Sequence, residues 1–362
     1  MSVHKFHALK VKDIRQETDE CISVSFDVPA ELAELFCFIP GQYLTLHKKI
    51  NGEDIRRSYS ICSAKNDGEL RVAIKKVENG KFTTYAHNQL KKGDLLDVMP
   101  PMGNFISKAE PKENKQYLAF AAGSGITPIM SIIKTVLEEE KSSKFILVYG
   151  NRSRASIIFR EELEALKNKY MDRLRLYHIL SREFMDVAIF NGRINADKCE
   201  EFCDGLIDLN TVDESFICGP EEMLLSVKKQ LFELGLPAQN IHIELFTSPD
   251  QPKASHDAWV TAHKDDLGPM SKVSITLDGT TFDMDVPYNG TSILDAALSK
   301  GADLPFACKG GVCCTCRAKL MEGNVEMEVN YSLEPDEVAK GFVLTCQSHP
   351  RSERVVIDFD HR

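Results

Sequence analysis

The chain has 362 residues, which is long enough for two or three globular domains. Because 43% of its residues are hydrophobic and 27% charged, collagen-like and disordered chains are excluded. Its 44 basic and 54 acidic residues give a formal net charge of −10, which argues against nucleic-acid binding. The N-terminus lacks the apolar core of a signal peptide, and no run of about 18 apolar residues predicts a membrane span. Eleven cysteines without an export signal indicate reduced thiols or metal ligands in a cytoplasmic protein.

The first two thirds of the sequence change in character near residue 110. Up to Phe105, short alternating runs such as 43–46 and 70–74 are separated by Gly and Pro, which predicts an antiparallel β-barrel over residues 1–107. Beyond Lys115, apolar strands alternate with amphipathic helices, which predicts an α/β domain with a parallel sheet over 112–247. Its strand candidates are 117–121, 145–149, 174–180 and 216–218.

A third domain is predicted at the C-terminal end. Residues 248–270 carry three prolines and few aliphatic side chains, which is typical of an interdomain linker. In the remaining segment, 271–362, apolar residues alternate on both sides of Asp278-Gly279, which predicts a hairpin. A helix is expected to begin after Ser292 and to end at Gly301.

Four cysteines in this third domain have the spacing Cys308-x4-Cys313-x2-Cys316, with Cys346 thirty residues later. This is the plant-type [2Fe–2S] pattern, in which one loop supplies three thiolates and a distant segment the fourth. Glycines inside the loop allow backbone N–H groups to approach the sulfurs. A structural zinc site is the alternative, but such sites usually show two close pairs of ligands. The spacing leaves Cys314 over as a small packing residue.

Two shorter motifs precede the cysteines, and neither is decisive alone. Gly123-Ser124-Gly125-Ile126-Thr127-Pro128 follows a predicted strand and opens a helix, with Thr127 as the expected cap. Such a helix N-terminus can bind a pyrophosphate, although a plain strand–turn–helix connection has the same pattern. Arg57-Ser58-Tyr59-Ser60 could grip a phosphate and cover a flavin, or could be an ordinary strand with an exposed arginine.

Taken in order with Cys218-Gly219-Pro220, these motifs resemble the ferredoxin–NADP reductase superfamily with a C-terminal plant-type [2Fe–2S] domain. The resemblance covers the chain except its linker. Within the superfamily, the sequence is most similar to reductase subunits of bacterial phenylacetyl-CoA epoxidases. The stretches that carry this likeness are 149–153 (YGNRS), 242–246 (HIELF), 303–316 (DLPFACKGGVCCTC) and 330–337 (NYSLEPDE).

The resemblance implies an FAD-binding β-barrel, an α/β nucleotide-binding domain and a β-grasp ferredoxin domain. It also implies a role for each motif residue. The FAD-binding residues would be Arg57, Ser58, Tyr59, Ser60, Gly80 and Thr83. The nicotinamide nucleotide would bind at Gly123, Gly125, Thr127 and Cys218, with its 2′-phosphate at Ser181, Arg182 and Arg152. Catalysis would involve Ser60, Cys218 and Phe246, and the cluster ligands would be Cys308, Cys313, Cys316 and Cys346.

The implied function is a reductase that passes electrons from NADPH to FAD, then to the [2Fe–2S] cluster, and then to the diiron oxygenase of a phenylacetyl-CoA epoxidase complex. Its expected partners are oxygenase subunits and NADPH, with no nucleic acid and no membrane. A reductase for a Rieske ring-hydroxylating oxygenase or another monooxygenase is an alternative, since the motifs are shared. A non-catalytic electron carrier is an alternative of another class, which the intact flavin and nucleotide motifs disfavour.

Overall fold

The computed structural model describes residues 5–246 and 268–361. Most of the predicted linker, 248–270, lies outside these described residues. None of the helices within the two ranges has both the length and the apolar composition that a membrane span needs.

The N-terminal region is a six-stranded antiparallel sheet in the order β4-β3-β6-β1-β2-β5. Its strands are β1 (His7–Thr18), β2 (Cys21–Asp27), β3 (Tyr43–Ile50), β4 (Glu53–Ser60), β5 (Leu70–Lys75) and β6 (Leu95–Met102), and α1 (Lys81–Asn88) lies between β5 and β6 in the chain. A bridge between Ile61 and Val72 joins the two edge strands, so the sheet closes into a barrel. Alternate side chains such as Leu44, Leu46 and Val98 fill its interior.

The middle region is a five-stranded parallel sheet in the order β11-β10-β7-β8-β9. Its strands are β7 (Gln116–Ala122), β8 (Lys144–Asn151), β9 (Leu174–Leu180), β10 (Glu214–Gly219) and β11 (Ile241–Leu245). Its helices are α2 (Ile126–Glu139), α3 (Arg160–Lys169), α4 (Ala196–Gly205) and α5 (Glu221–Glu233). Helices α2 and α3 pack on one face, whereas α4 and α5 pack on the other. The strand order reverses between β7 and β10, and ligands of such sheets bind at this switch point.

The C-terminal region is a mixed five-stranded sheet in the order β13-β12-β18-β14-β16, with a separate β15-β17 pair. Its strands are β12 (Met270–Leu277), β13 (Thr280–Pro287), β14 (Arg317–Glu322), β15 (Val325–Met327), β16 (Phe342–Leu344), β17 (Ser348–Pro350) and β18 (Arg354–Asp358). Helices α6 (Ile293–Ser299) and α7 (Pro335–Ala339) accompany them. The predicted hairpin turns at Asp278 and Gly279, both with positive φ. The predicted helix begins after Ser292, whose hydroxyl accepts from the backbone N–H of Asp295.

Candidate functional site

The four cysteines of the predicted cluster motif come together in one buried region. Each of their residues is between 2% and 7% exposed, and the sulfurs of Cys308 and Cys313 lie 3.1 Å apart. Cys346 follows β16 and lies close enough to Cys308 and Cys316 to interact with both sulfurs. The structure therefore brings together the three loop thiols and the distant one.

Backbone and amide donors surround these sulfurs. The N–H of Gly310 donates to Cys308 Sγ over 3.2 Å, and Gln347 Nε2 donates to Cys346 Sγ over 3.5 Å. Hydrogen bonds from Cys313 and Cys346 and from backbone N–H groups hold the pKa of Cys308 well below its usual range. A compact set of four thiols with N–H donors fits a [2Fe–2S] cluster, whose sulfurs are negatively charged.

The loop geometry requires glycine at position 311. Its φ is +72°, and an added Cβ would lie 2.9 Å from the Val329 side chain. Cys314 has another role, since its sulfur donates to the carbonyl of Ser332 over 3.4 Å. Burial raises the pKa of Cys314 to about 12, so this thiol stays protonated at neutral pH.

The flavin motif occupies the last residues of β4. The ring of Tyr59 lies 5.6 Å from that of Phe82, at the start of α1, and Arg57 Nη1 donates to the Arg56 carbonyl. Ser60 Oγ donates to Glu244 Oε2 over 3.1 Å, which ties the barrel to the end of β11. The motif thus lies at the border between the barrel and the nucleotide-binding region.

A cavity opens at this border, between the flavin motif and the cluster loop. Ser60, Glu244 and Phe246 line one part of it, and Cys308 and Cys313 line another. The other lining residues are Tyr43, Arg57, Ser58, Leu245, Ala307 and Val312. A planar ring system bound here would contact both the flavin motif and the cluster loop, so the lining residues suit the flavin ring of FAD.

The other two predicted FAD-binding residues, Gly80 and Thr83, lie at the N-terminus of α1. Gly80 is the residue before the helix, and the Thr83 hydroxyl is bonded to Val77 and to the Gly80 carbonyl. The buried Thr83 side chain therefore holds the turn, and the first backbone N–H groups of the helix are the groups that could meet a phosphate.

The two-glycine motif lies at the switch point of the parallel sheet. An added Cβ on Gly125 would overlap the carbonyl oxygen of Cys218, so only glycine permits the close approach of β10. Cys218 is completely buried, and its residue pairs with Glu244 across the sheet. The expected cap at Thr127 is wrong. The helix begins at Ile126, and the Thr127 hydroxyl donates backwards to the Ser124 carbonyl over 3.0 Å.

The proposed 2′-phosphate residues meet at the ends of β8 and β9. The N–H of Arg182 donates to the carbonyl of Arg152 over 2.8 Å, and that of Ser181 donates to Asn151 over 3.0 Å. Both arginine side chains are exposed. Glu183 also lies here, because its carboxylate accepts from the backbone N–H of Arg154 over 2.7 Å. The structure thus brings two exposed cations to one edge, next to one carboxylate.

Glu244 is a site residue that the sequence reasoning did not select. Burial raises its pKa to about 8, although the hydrogen bond from Ser60 opposes the shift. A carboxyl with such a pKa can hold or release a proton near neutral pH. The sequence did contain a signal for Glu244, since this residue lies in the HIELF stretch, two residues before the selected Phe246.

Three stretches of the chain match known domain families. Residues 8–106 match the oxidoreductase FAD-binding domain, residues 120–229 the oxidoreductase NAD-binding domain, and residues 275–351 the 2Fe-2S iron-sulfur cluster binding domain. Over 356 residues the chain is 44% identical to one of the subunits of 1,2-phenylacetyl-CoA epoxidase from Escherichia coli (strain K12), covering 98% of each chain. The chain belongs to the FAD and [2Fe–2S] reductases of multicomponent oxygenases.

Other relatives of this reductase share its full length. It is 33% identical over 353 residues to the ferredoxin reductase component of 3-ketosteroid-9-alpha-monooxygenase from Rhodococcus rhodochrous, covering 97% of this chain and 96% of that one. Phthalate dioxygenase reductase superposes with a TM-score of 0.60 at 23% identity, over 98% of both chains. The predicted fold of barrel, α/β domain and C-terminal [2Fe–2S] domain is confirmed, as is the oxidoreductase class.

Proposed function

We propose that this reductase takes a hydride equivalent from NADPH and delivers single electrons to the diiron oxygenase subunits of a phenylacetyl-CoA epoxidase complex. The observation that carries the proposal is the cavity shared by Ser60, Glu244 and the cluster cysteines Cys308 and Cys313. FAD is the group that accepts two electrons together and releases them singly. The similarity to the epoxidase component of Escherichia coli supports the choice of acceptor.

The chain's own residues would bind and orient the two nucleotides. Arg57 and the N-terminal amides of α1 would meet the FAD pyrophosphate, and Tyr59 would lie against the flavin ring. Gly123 and Gly125 would admit the nicotinamide nucleotide at the start of α2, and Thr127 would hold that turn. These roles are supported by the location of both motifs at the border between the barrel and the parallel sheet.

The reaction region would be formed by Ser60, Cys218, Glu244 and Phe246. Cys218 is fully buried beneath the switch point, and burial together with the Glu244 charge raises the pKa of its thiol far above the usual range. The thiol would therefore act as a neutral packing group. The Ser60–Glu244 hydrogen bond would orient both polar groups toward the transferred hydride, and the exposed Phe246 would cover the flavin.

The preference for NADPH over NADH would depend on Arg182, with Ser181 and Arg152 beside it. A charge-assisted hydrogen bond to phosphate contributes about 1.5–3 kcal/mol, so Arg182→Ala should raise the KM for NADPH roughly ten- to hundredfold. The KM for NADH should change little, because NADH lacks the 2′-phosphate. Steady-state kinetics with ferricyanide as acceptor would measure both values. Equal effects on the two coenzymes would contradict the NADPH assignment.

Reconstitution tests the terminal acceptor. The purified reductase should support NADPH- and O2-dependent epoxidation of phenylacetyl-CoA when it is combined with diiron epoxidase subunits. The 33% identity to the 3-ketosteroid-9-alpha-monooxygenase component favours a second candidate, the reductase of another monooxygenase. No product with the diiron subunits, together with normal reduction of flavin and cluster, would favour that second candidate.

A further inference from the structure

The β3–β4 hairpin has two faces with different surroundings. Its register pairs Tyr43 with Ser60, Thr45 with Ser58, and His47 with Arg56. Because side chains alternate along a strand, these residues share the face that points away from the barrel interior. The opposite face carries the apolar residues of the barrel core, among them Leu44, Leu46 and Ile55.

The polar face of this hairpin is nevertheless buried. Tyr43 is 4% exposed, Thr45 1%, Arg56 8% and Ser60 3%. The [2Fe–2S] domain covers it, since Tyr43 Oη and Thr315 Oγ1 lie 3.0 Å apart. Tyr43 also packs against Ala307 and two of the cluster cysteines. Buried polar groups need partners, and for Tyr43, Thr45 and Arg56 the cluster domain provides them.

Arg56 makes the most extensive of these contacts. Its Nη1 donates to the Leu304 carbonyl over 3.2 Å, and its Nη2 donates to Asp303 Oδ1 over 3.1 Å. Its guanidinium carbon lies 4.3 Å from the centre of the Phe306 ring. These three partners end two residues before the first cluster ligand, Cys308. Arg56 therefore holds the segment that leads directly into the cluster loop.

The three contacts of Arg56 with the cluster domain differ in strength. The Asp303 carboxylate is 89% exposed, so its ion pair is screened by water and contributes little. The buried Leu304 carbonyl and the Phe306 face depend on the planar guanidinium, which a lysine ammonium does not reproduce. The carbonyl and ring contacts should thus dominate the interaction.

We propose that Arg56 is a positioning residue for electron transfer, which docks the cluster domain on the barrel so that Cys308 and Cys313 stay at the flavin cavity. This inference rests on the proposed function. The step that it serves moves one electron from the reduced flavin to a ferric iron of the cluster, which becomes ferrous. Its neighbour Arg57 would bind the FAD phosphates, so consecutive arginines of β4 serve the two redox groups.

Hydrogen–deuterium exchange of the full-length holoprotein measures the docking without any turnover. In Arg56→Lys, amide exchange in residues 303–308 should rise at least tenfold, which corresponds to about 1.4 kcal/mol of lost docking free energy. In Asp303→Asn, it should stay within twofold of the wild type. Arg71→Lys is the matched control, because Arg71 is also buried but bonds to Ser23, Asp13 and Glu69 within the barrel.

Rapid mixing with NADPH gives the functional readout. In Arg56→Lys, the flavin should be reduced within twofold of the wild-type rate, whereas electron transfer from flavin to cluster should slow at least fivefold. If the exchange or the transfer step changes by less than these amounts, the positioning role is overturned. If Arg56→Lys does not retain FAD, Phe306→Leu removes the ring from the cluster side and should give the same two effects. Failure of the wild-type flavin to accept electrons from NADPH would instead contradict the proposed function, and the exchange result would be unaffected.

Discussion

The raised pKa of Glu244 makes the stability of the reductase depend on pH in an unusual direction. In the folded protein this carboxyl has a pKa of about 8, against 4.5 without the protein environment. Between these values the folded state holds a proton that the unfolded state has lost, so stability falls as pH rises. Each unit of the shift corresponds to about 1.4 kcal/mol. Because Glu244 is only half-buried, we discount the total to about 3 kcal/mol.

Replacing Glu244 by Gln should remove this loss of stability at high pH. The neutral amide can still accept the hydrogen bond from Ser60. We expect the variant to be about 3 kcal/mol more stable than the wild type at pH 9 and nearly equal to it at pH 4.5. With an unfolding entropy of about 2.1 cal/mol/K per residue, the difference corresponds for 362 residues to a rise in Tm of roughly 4 °C. Thermal unfolding of the FAD-bound protein, followed by flavin fluorescence from pH 4.5 to 9, measures it.

Glu214 provides a control of opposite sign. A hydrogen bond from His242 and contact with Lys115 lower the pKa of its carboxyl, so its contribution is present above pH 4.5 and is lost as pH falls through the lowered value. Glu214→Gln should therefore lower the Tm at pH 7 to 9. Parallel Tm profiles of wild type and Glu244→Gln across the whole pH range would refute the reasoning about Glu244.

Two further predictions concern the cluster ligands and the nucleotide loop. Cys346→Ala should abolish the cluster, seen as lost iron and lost cluster absorbance, while NADPH-driven reduction of ferricyanide persists because the FAD and nucleotide motifs lie in other domains. Loss of that activity with FAD still bound would contradict a modular chain. Gly125→Ala should cost about 1–3 kcal/mol and raise the KM for NADPH, because its Cβ would overlap the Cys218 carbonyl. Gly205→Ala is its control in thermal unfolding and kinetics, since an added Cβ there meets nothing within 4 Å, and equal behaviour of the two variants would contradict the packing argument.

The sequence pattern predicted those parts of the fold that depend on neighbouring residues, such as the bounds of single strands. Strand β9 has the predicted bounds, 174–180, because a short, mainly apolar run (LRLYHIL) lies between a helix and a polar loop. The cap at Thr127 was wrong for an equally local reason. Gly123–Gly125 already forms a tight turn, so the helix starts earlier and the hydroxyl bonds to that turn.

The domain interface could not be predicted in this way. Alternation along β3 and β4 shows that the hairpin has two faces, but a polar face is equally compatible with solvent and with a covering domain. The contact between Tyr43 and Thr315 joins residues 272 positions apart. Alternation within a strand does not predict which distant segment covers it. The proposed role of Arg56 therefore depends on the three-dimensional arrangement.

The hairpin that carries both arginines also limits how the protein can vary in length. Its turn consists of Asn51 and Gly52, which both have positive φ, so Ile50 lies opposite Glu53. Inserting or deleting a single residue within β4 would exchange its two faces, and Arg56 would point where Arg57 now points. Natural or engineered insertions should therefore be tolerated at the exposed residues 65–68 rather than within the paired strands. Chimeras that exchange the barrel or the cluster domain would need to keep β3, its two-residue turn and β4 as one unit.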